Sequence, residues 1–374
     1  MENSLLKLES FGQSIWMDYL RRGAIASGEL KRLIEQDGVL GVTSNPSIFE
    51  KAIAESHDYD DAVHALAREG KTAAEIYQVL TVEDIQRTAD LFRPVYDRLE
   101  GRDGFVSLEV SPGLARDTFG TIEEARFLWN KVNRPNLMIK VPGTEQGLPA
   151  IRQLIGEGIN VNITLLFGLP RYRQVVEAYL AGLETLAAQG RPLDRIASVA
   201  SFFLSRIDTL ADPVLEKLGL EGGSPAELVA GLHGELAIAS AKVAYQIYRE
   251  IFGQDRFRKL AKMGARTQRL LWASTSTKNP DYSDVKYVEA LIGRDTINTM
   301  PLETLNAYRD HGIPAARLED NAQEAFQKLV RLRQAGLNLD DMTRQLEDEG
   351  VEKFEKAFQQ VLAAITLMKK SEVA

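Results

Sequence analysis

Three ionisable residues stand at the ends of short apolar runs. Asp18 follows Ser14-Ile-Trp-Met, Glu109 follows Phe105-Val-Ser-Leu, and Lys140 follows Asn136-Leu-Met-Ile. Lys140 carries the most chemistry. The segment Asn136-Leu-Met-Ile-Lys-Val-Pro-Gly-Thr144 reads as a buried strand closed by a Pro-Gly stop. An amine withdrawn from water loses its proton more readily, and a neutral amine attacks carbonyls. That points to Schiff-base chemistry on a ketone or aldehyde. The competing reading is a solvated lysine that blunts strand pairing. Breaking a C–C bond through an imine needs three groups: the amine, a carboxylate that moves protons as the imine forms, and a second that takes a hydroxyl proton as the bond breaks. Either carboxylate alone reads as a loop or cap residue, but together Lys140, Glu109 and Asp18 supply that set.

Polar residues recur where a strand interior should be apolar. In Asn160-Val-Asn-Ile-Thr-Leu-Leu166, alternation places Asn160, Asn162 and Thr164 on one face and Val161, Ile163 and Leu165 on the other. Asparagine is depleted from strands, so the polar face is either a satisfied hydrogen-bond network or a site. Asn45, followed by Pro46, reads as a helix N-cap. Two segments suit an anion. Ser201-Phe-Phe-Leu-Ser-Arg-Ile-Asp208 offers Ser201 and Arg206 near a helix start, although Arg206 could instead pair with Asp208. Ala273-Ser-Thr-Ser-Thr-Lys-Asn-Pro280 offers hydroxyls and Lys278, or is an ordinary Ser/Thr-rich loop. None of His57, His64, His233 and His311 has metal-ligand spacing, and no metal is expected.

Elements that could position these groups alternate along the chain. Strand candidates are Ser14–Tyr19, Gly38–Val42, Phe105–Val110, Leu137–Val141, Asn160–Leu166, Ile196–Phe203, Leu270–Ser274 and Thr296–Met300, with helical patterns between them. Alternation argues for a parallel α/β sheet. Eight units fit a closed (β/α)8 barrel better than a doubly wound sheet, since no glycine-rich phosphate turn follows the first strand. Barrel enzymes build their sites at the C-terminal strand ends, where Asp18, Glu109 and Lys140 fall. Val176, Tyr179, Leu180, Leu183 and Ala187 make one helical stripe, ended by Gly190-Arg-Pro192. Residues 50–100 read as a helical insertion after the second strand. Residues 321–370 read as C-terminal helices, with a stripe of Val351, Phe354, Phe358, Val361, Leu362 and Ile365. The expectation is one barrel domain over 1–374, whose C-terminal helices either cover it or form the interface of a homodimer.

Composition removes other classes. The 374 residues contain no cysteine, which excludes disulfides, thiolate catalysis and cysteine-based metal sites. A net charge of −8 without a long basic block argues against a nucleic-acid partner, so an anionic substrate needs a local positive pocket. No run of about 18 apolar residues is present, so no membrane span is expected. The N-terminal segment lacks a signal-peptide pattern, and a cytoplasmic location is the default.

The motifs together resemble one family. Thr-Ser-Asn-Pro-Ser (43–47), Ser-Leu-Glu-Val (107–110), Met-Ile-Lys-Val-Pro (138–142), Asn-Ile-Thr-Leu-Leu-Phe (162–167) and Ser-Phe-Phe-Leu-Ser-Arg-Ile-Asp (201–208) are similar to the ordered motifs of transaldolases. The similarity runs from about Ser14 to the C-terminus. The length and Trp-Ala-Ser-Thr (272–275) resemble the long bacterial-type subfamily. The resemblance implies a (β/α)8 barrel of the class I aldolase type. The implied reaction moves a dihydroxyacetone unit from sedoheptulose 7-phosphate to glyceraldehyde 3-phosphate, giving erythrose 4-phosphate and fructose 6-phosphate in the non-oxidative pentose phosphate pathway, without a cofactor. It makes Lys140 the Schiff-base lysine. Glu109 with Thr164 and a water shuttles protons during imine formation, and Asp18 acts as acid/base at the hydroxyl beside the broken bond. Asn45 and Asn162 hold the dihydroxyacetone hydroxyls, Thr43 supports Asp18 or its neighbours, and Ser201 and Arg206 bind phosphate. Two departures stand out. Many relatives carry Ser-Phe-Arg after the seventh strand, where this chain offers Ser276-Thr-Lys278, and many have proline at Phe202. The alternative, a fructose 6-phosphate aldolase-like lyase, looks similar but carries tyrosine where this chain has Phe203. The implied partners are phosphorylated ketoses and aldoses.

Overall fold

The computed structural model describes residues 3–371. Eight strands form one closed parallel barrel in sequential order: β1 (Gln13–Met17), β2 (Val39–Val42), β3 (Phe105–Glu109), β4 (Leu137–Pro142), β5 (Val161–Leu166), β6 (Ser198–Phe203), β7 (Arg269–Ala273) and β8 (Thr296–Met300). Every expected strand is present, with ends moved by a residue or two. Asp18 falls just past β1, yet its N–H still donates to Met300 O at 2.8 Å and carries the ladder one step further.

Register places the polar residues side by side. Glu109 pairs with Lys140 across β3 and β4, Lys140 with Asn162 across β4 and β5, and Pro142 with Thr164. Paired residues of a parallel sheet share a face, so these side chains line the barrel interior together. Parity fails at one point. Leu165 has φ of 53°, and the register of β5 with β6 shifts between Ile163 and Leu166, which is a β-bulge. Leu165 was expected on the outer face with Val161 and Ile163. Its Cδ2 instead lies 2.9 Å from where a Cβ on Gly350, in the C-terminal helix, would stand.

The N-terminal end of the barrel is plugged. Arg269 at the start of β7 pairs with Asp103 at 2.9 Å. Asp103 also accepts from Ser14 Oγ and from the Trp16 indole, each at 2.8 Å. Trp16, Phe105 and Met138 are buried above this pair. Gly41 makes room for the indole, because a Cβ there would come within 2.6 Å of the Trp16 ring. A buried ion pair persists only when its remaining donors and acceptors are engaged, as they are here.

After β2 come three helices, Pro46–Ala54, Asp60–Arg68 and Ala73–Arg98. The first begins where Asn45 accepts from Ile48 N–H at 3.0 Å and Pro46 takes the first helical position. The Ala322–Gln334 helix precedes the C-terminal helix, Leu339–Ser371, a rod of 33 residues. Val351, Phe354, Val361 and Ile365 of the expected stripe are buried. The C-terminal helix lies over the C-terminal strand ends. It is anchored by Arg116 to Asp348 at 2.6 Å, Arg171 to Glu347 at 3.2 Å, and the Tyr77 ring against Phe358 at 5.2 Å. Among the described residues, no helix is long and apolar enough to cross a membrane.

Candidate active site

Lys140 is 3 % exposed although it sits near the barrel mouth. Its Nζ donates to Ser44 O at 3.0 Å and lies 3.2 Å from Glu109 Oε2. The Phe354 ring, from the C-terminal helix, stands 5.8 Å from Nζ. Burial therefore has a visible cause: strand neighbours on the sides and an aromatic ring above. The Glu109 side chain is 4 % exposed, and burial pushes its pKa up to about 7, with Lys140 pulling it back and Asp18 adding to the rise. A carboxyl poised near neutrality can give and take a proton at working pH. Apart from the ion pair, the Glu109 carboxylate has no hydrogen-bond partner among the described residues, and neither has the buried Thr164 hydroxyl. Both are free to serve a reactant.

Asp18 accepts from Thr43 Oγ1 at 2.7 Å, and Thr43 shares a 2.8 Å contact with Thr299. Burial raises the Asp18 pKa, opposed by the Lys140 charge, the Thr43 hydrogen bond, and the charges of Arg206 and Lys278. Asp18 thus shares a field with the amine and with two cations from other segments. Asn162 is fully buried. It donates to Ser107 Oγ at 2.9 Å and accepts from Ser201 Oγ at 2.7 Å. Asn160, on the same face, is spent on structure: it donates to Leu137 O and accepts from Ala197 N–H. The satisfied-network reading thus describes Asn160, while Asn162 lies beside Lys140.

Two expectations change. Ser201, grouped with Arg206 as an anion ligand, lies inside the barrel with its hydroxyl on Asn162. Strand parity turns it inward, while Arg206 stands in the first turn of the helix Ser205–Glu221. The alternative pairing of Arg206 with Asp208 is absent, because Asp208 is buried and accepts from Ala237 N–H and Tyr287 OH. Arg206 instead lies 5.6 Å from the Phe203 ring, which packs on Phe167 at 5.2 Å. Phe202 faces outward against Trp272 and Tyr172, so its departure from proline falls in the outer layer. Lys278 is exposed and donates to Ser276 Oγ at 2.8 Å. Asn45 caps its helix through Oδ1, leaving Nδ2 without a partner among the described residues.

Sequence reasoning missed Ser44, Ser107, Thr299 and Phe354. Ser107 was accessible, since it precedes Glu109 by two residues and shares its face. Phe354 lay in a stripe read only as packing, and nothing local shows which barrel feature a distant helix covers. Three histidines have ordinary partners: His57 with Asp60, His311 with Asp284, and His233 with Tyr282. Among the described residues, no group of His, Asp or Glu could hold a metal ion.

A closed eight-stranded parallel barrel with a buried lysine–carboxylate pair at its C-terminal strand ends defines the class: a (β/α)8 barrel with its polar centre at the catalytic face. Residues 15–365 match the family model described as Transaldolase/Fructose-6-phosphate aldolase. The chain is 48% identical to a "Transaldolase 2" of Nostoc sp. over 368 residues, 97% of each chain. It is equally 48% identical to a "Transaldolase" of Saccharopolyspora erythraea, over 97% of each, and to one of Thiobacillus denitrificans, over 95% of this chain and 97% of the relative. The chain belongs to the transaldolase/fructose-6-phosphate aldolase family.

Proposed function

We propose that the protein is a transaldolase that moves a dihydroxyacetone unit from sedoheptulose 7-phosphate to glyceraldehyde 3-phosphate through a Schiff base on Lys140. The observation that carries this is the Lys140 amine enclosed in the barrel, 3.2 Å from a carboxyl titrating near 7. Lys140 passes a proton to the Glu109 carboxylate 3.2 Å away, and its freed amine adds to the ketose C2 carbonyl. Glu109, with the Thr164 hydroxyl on the next strand but one, moves protons as the carbinolamine loses water. Asp18, held by Thr43, takes the C4 hydroxyl proton as the C3–C4 bond breaks and erythrose 4-phosphate departs. The electron pair is held by the iminium as an enamine until the acceptor aldehyde adds. The Asn162 amide, between Ser107 and Ser201, lies where it can orient the dihydroxyacetone hydroxyls, and Arg206 with Lys278 offers charge to the phosphate.

Borohydride reduction in the presence of fructose 6-phosphate should add a dihydroxyacetone-derived mass at Lys140, and Lys140→Ala should abolish both adduct and turnover. An adduct elsewhere, or turnover in that variant, refutes the assignment. The family also contains lyases. Phe203, which adds no hydroxyl at the mouth, favours transfer; appreciable free dihydroxyacetone without an acceptor would reverse that choice.

A further inference from the structure

Four cations from four separate elements lie near enough to the barrel mouth to act on one another's charge. Arg206 opens the helix after β6, and Lys278 lies in the loop after β7. Lys51 belongs to the helix Pro46–Ala54, and Lys353 to the C-terminal helix. The placement of Lys353 follows from the helix's contacts. Gly350, one turn earlier, lies so close to the start of the helix after β6 that a Cβ on it would stand 3.7 Å from Arg206 Nη1. Phe354, the next residue, reaches over Lys140. Helical spacing therefore puts Lys353, which is solvent-exposed, on the turn of the helix that runs between the guanidinium and the amine's aromatic cover.

Like charges gathered this way oppose one another. Arg206 is the largest influence lowering the Lys353 pKa, followed by burial, Lys278 and Lys51. Lys278 feels burial first, then Arg206 and Lys51. The nearby carboxylates, Glu349, Asp18 and Glu303, act on Arg206 or Lys278. Neither Lys51 nor Lys353 has an ion-pair partner among the described residues. The N-terminus of the 17-residue helix Ser205–Glu221 adds positive potential at the same place. On a chain of net charge −8, such a cluster is a local inversion of sign that a dianion would relieve.

We propose that Lys353 is a phosphate ligand of the sugar substrate, so that the C-terminal helix contributes directly to selecting phosphorylated over unphosphorylated ketoses. This rests on the sugar-phosphate reading above and extends its anion site from the segments after β6 and β7 to a distant helix. Lys278 and Lys353 together supply point charges where the arginine of many relatives is missing.

The test separates phosphate binding from catalysis. Inorganic phosphate should stabilise the wild-type chain in thermal melts, and Lys353→Gln should weaken its apparent affinity about tenfold, with Lys353→Arg restoring most of it. In borohydride trapping, half-saturation by fructose 6-phosphate should rise about tenfold relative to that by free dihydroxyacetone. Equal phosphate affinity in wild type and Lys353→Gln, or an equal loss for both trapping substrates, overturns the proposal. If the wild type binds phosphate through Lys353 but traps no ketose, the Schiff-base reading fails while this ligand assignment stands.

Discussion

Removing the Lys140 charge should make the Glu109 contribution to stability go on falling with pH where in the wild type it has levelled off. The Glu109 carboxyl titrates near 7 in the folded protein against an ordinary 4.5. Its folded pKa is raised, so its contribution to stability is fully present below about pH 4.5 and is lost as pH rises to 7. At about 1.4 kcal/mol per unit, the loss reaches about 3 kcal/mol by neutrality, after which this group adds no slope. Lys140 is the charge that most strongly pulls Glu109 down. In Lys140→Ala the folded chain therefore keeps the proton to higher pH than the wild type, and stability goes on falling at up to about 1.4 kcal/mol per unit above pH 7. Asp18, also held down by Lys140, acts in the same direction. Urea unfolding at pH 6, 7 and 8 measures this. The gap between wild type and Lys140→Ala should widen by about 1 kcal/mol from pH 6 to 8. Adding Glu109→Gln should remove most of the widening. A gap equal at both pH values would refute the claim that the amine sets the carboxyl's proton affinity.

Lys278→Ala should raise KM for phosphorylated donors about tenfold with kcat little changed, which steady-state kinetics will read; an unchanged KM removes Lys278 from the anion site. Gly41→Ala should destabilise the barrel by about 3 kcal/mol, because its Cβ would stand 2.6 Å from the fully buried Trp16 indole. A chemical melt matching the wild type would show that the indole can move.

The barrel was legible because each apolar run reported its own burial and each helix its own period. The inward face of β5 was legible for the same reason: alternation is local, and Asn162 and Thr164 break an apolar pattern that only a site or a network explains. Ser201 was legible as inward too, since it sits in a strand, whereas Arg206, five residues on, opens the next helix. Leu165 escaped because a bulge depends on how β5 meets β6, which neither strand encodes alone. Phe354 and Lys353 escaped because their importance lies in what a distant helix lands on. Long-range contact identity is set by packing, whereas periodicity reports only that a face is covered.

The plugged N-terminal end has a kinetic consequence. With Arg269, Asp103 and Trp16 filling the barrel's foot, the approach to Lys140 is from the opposite end, beneath the C-terminal helix that carries Phe354. In the proposed transfer, the departing aldose and the incoming acceptor compete for that approach while the three-carbon fragment stays bound to the amine. A shared approach therefore imposes a turn-taking order: the first product must clear the threshold before the second substrate can cross it.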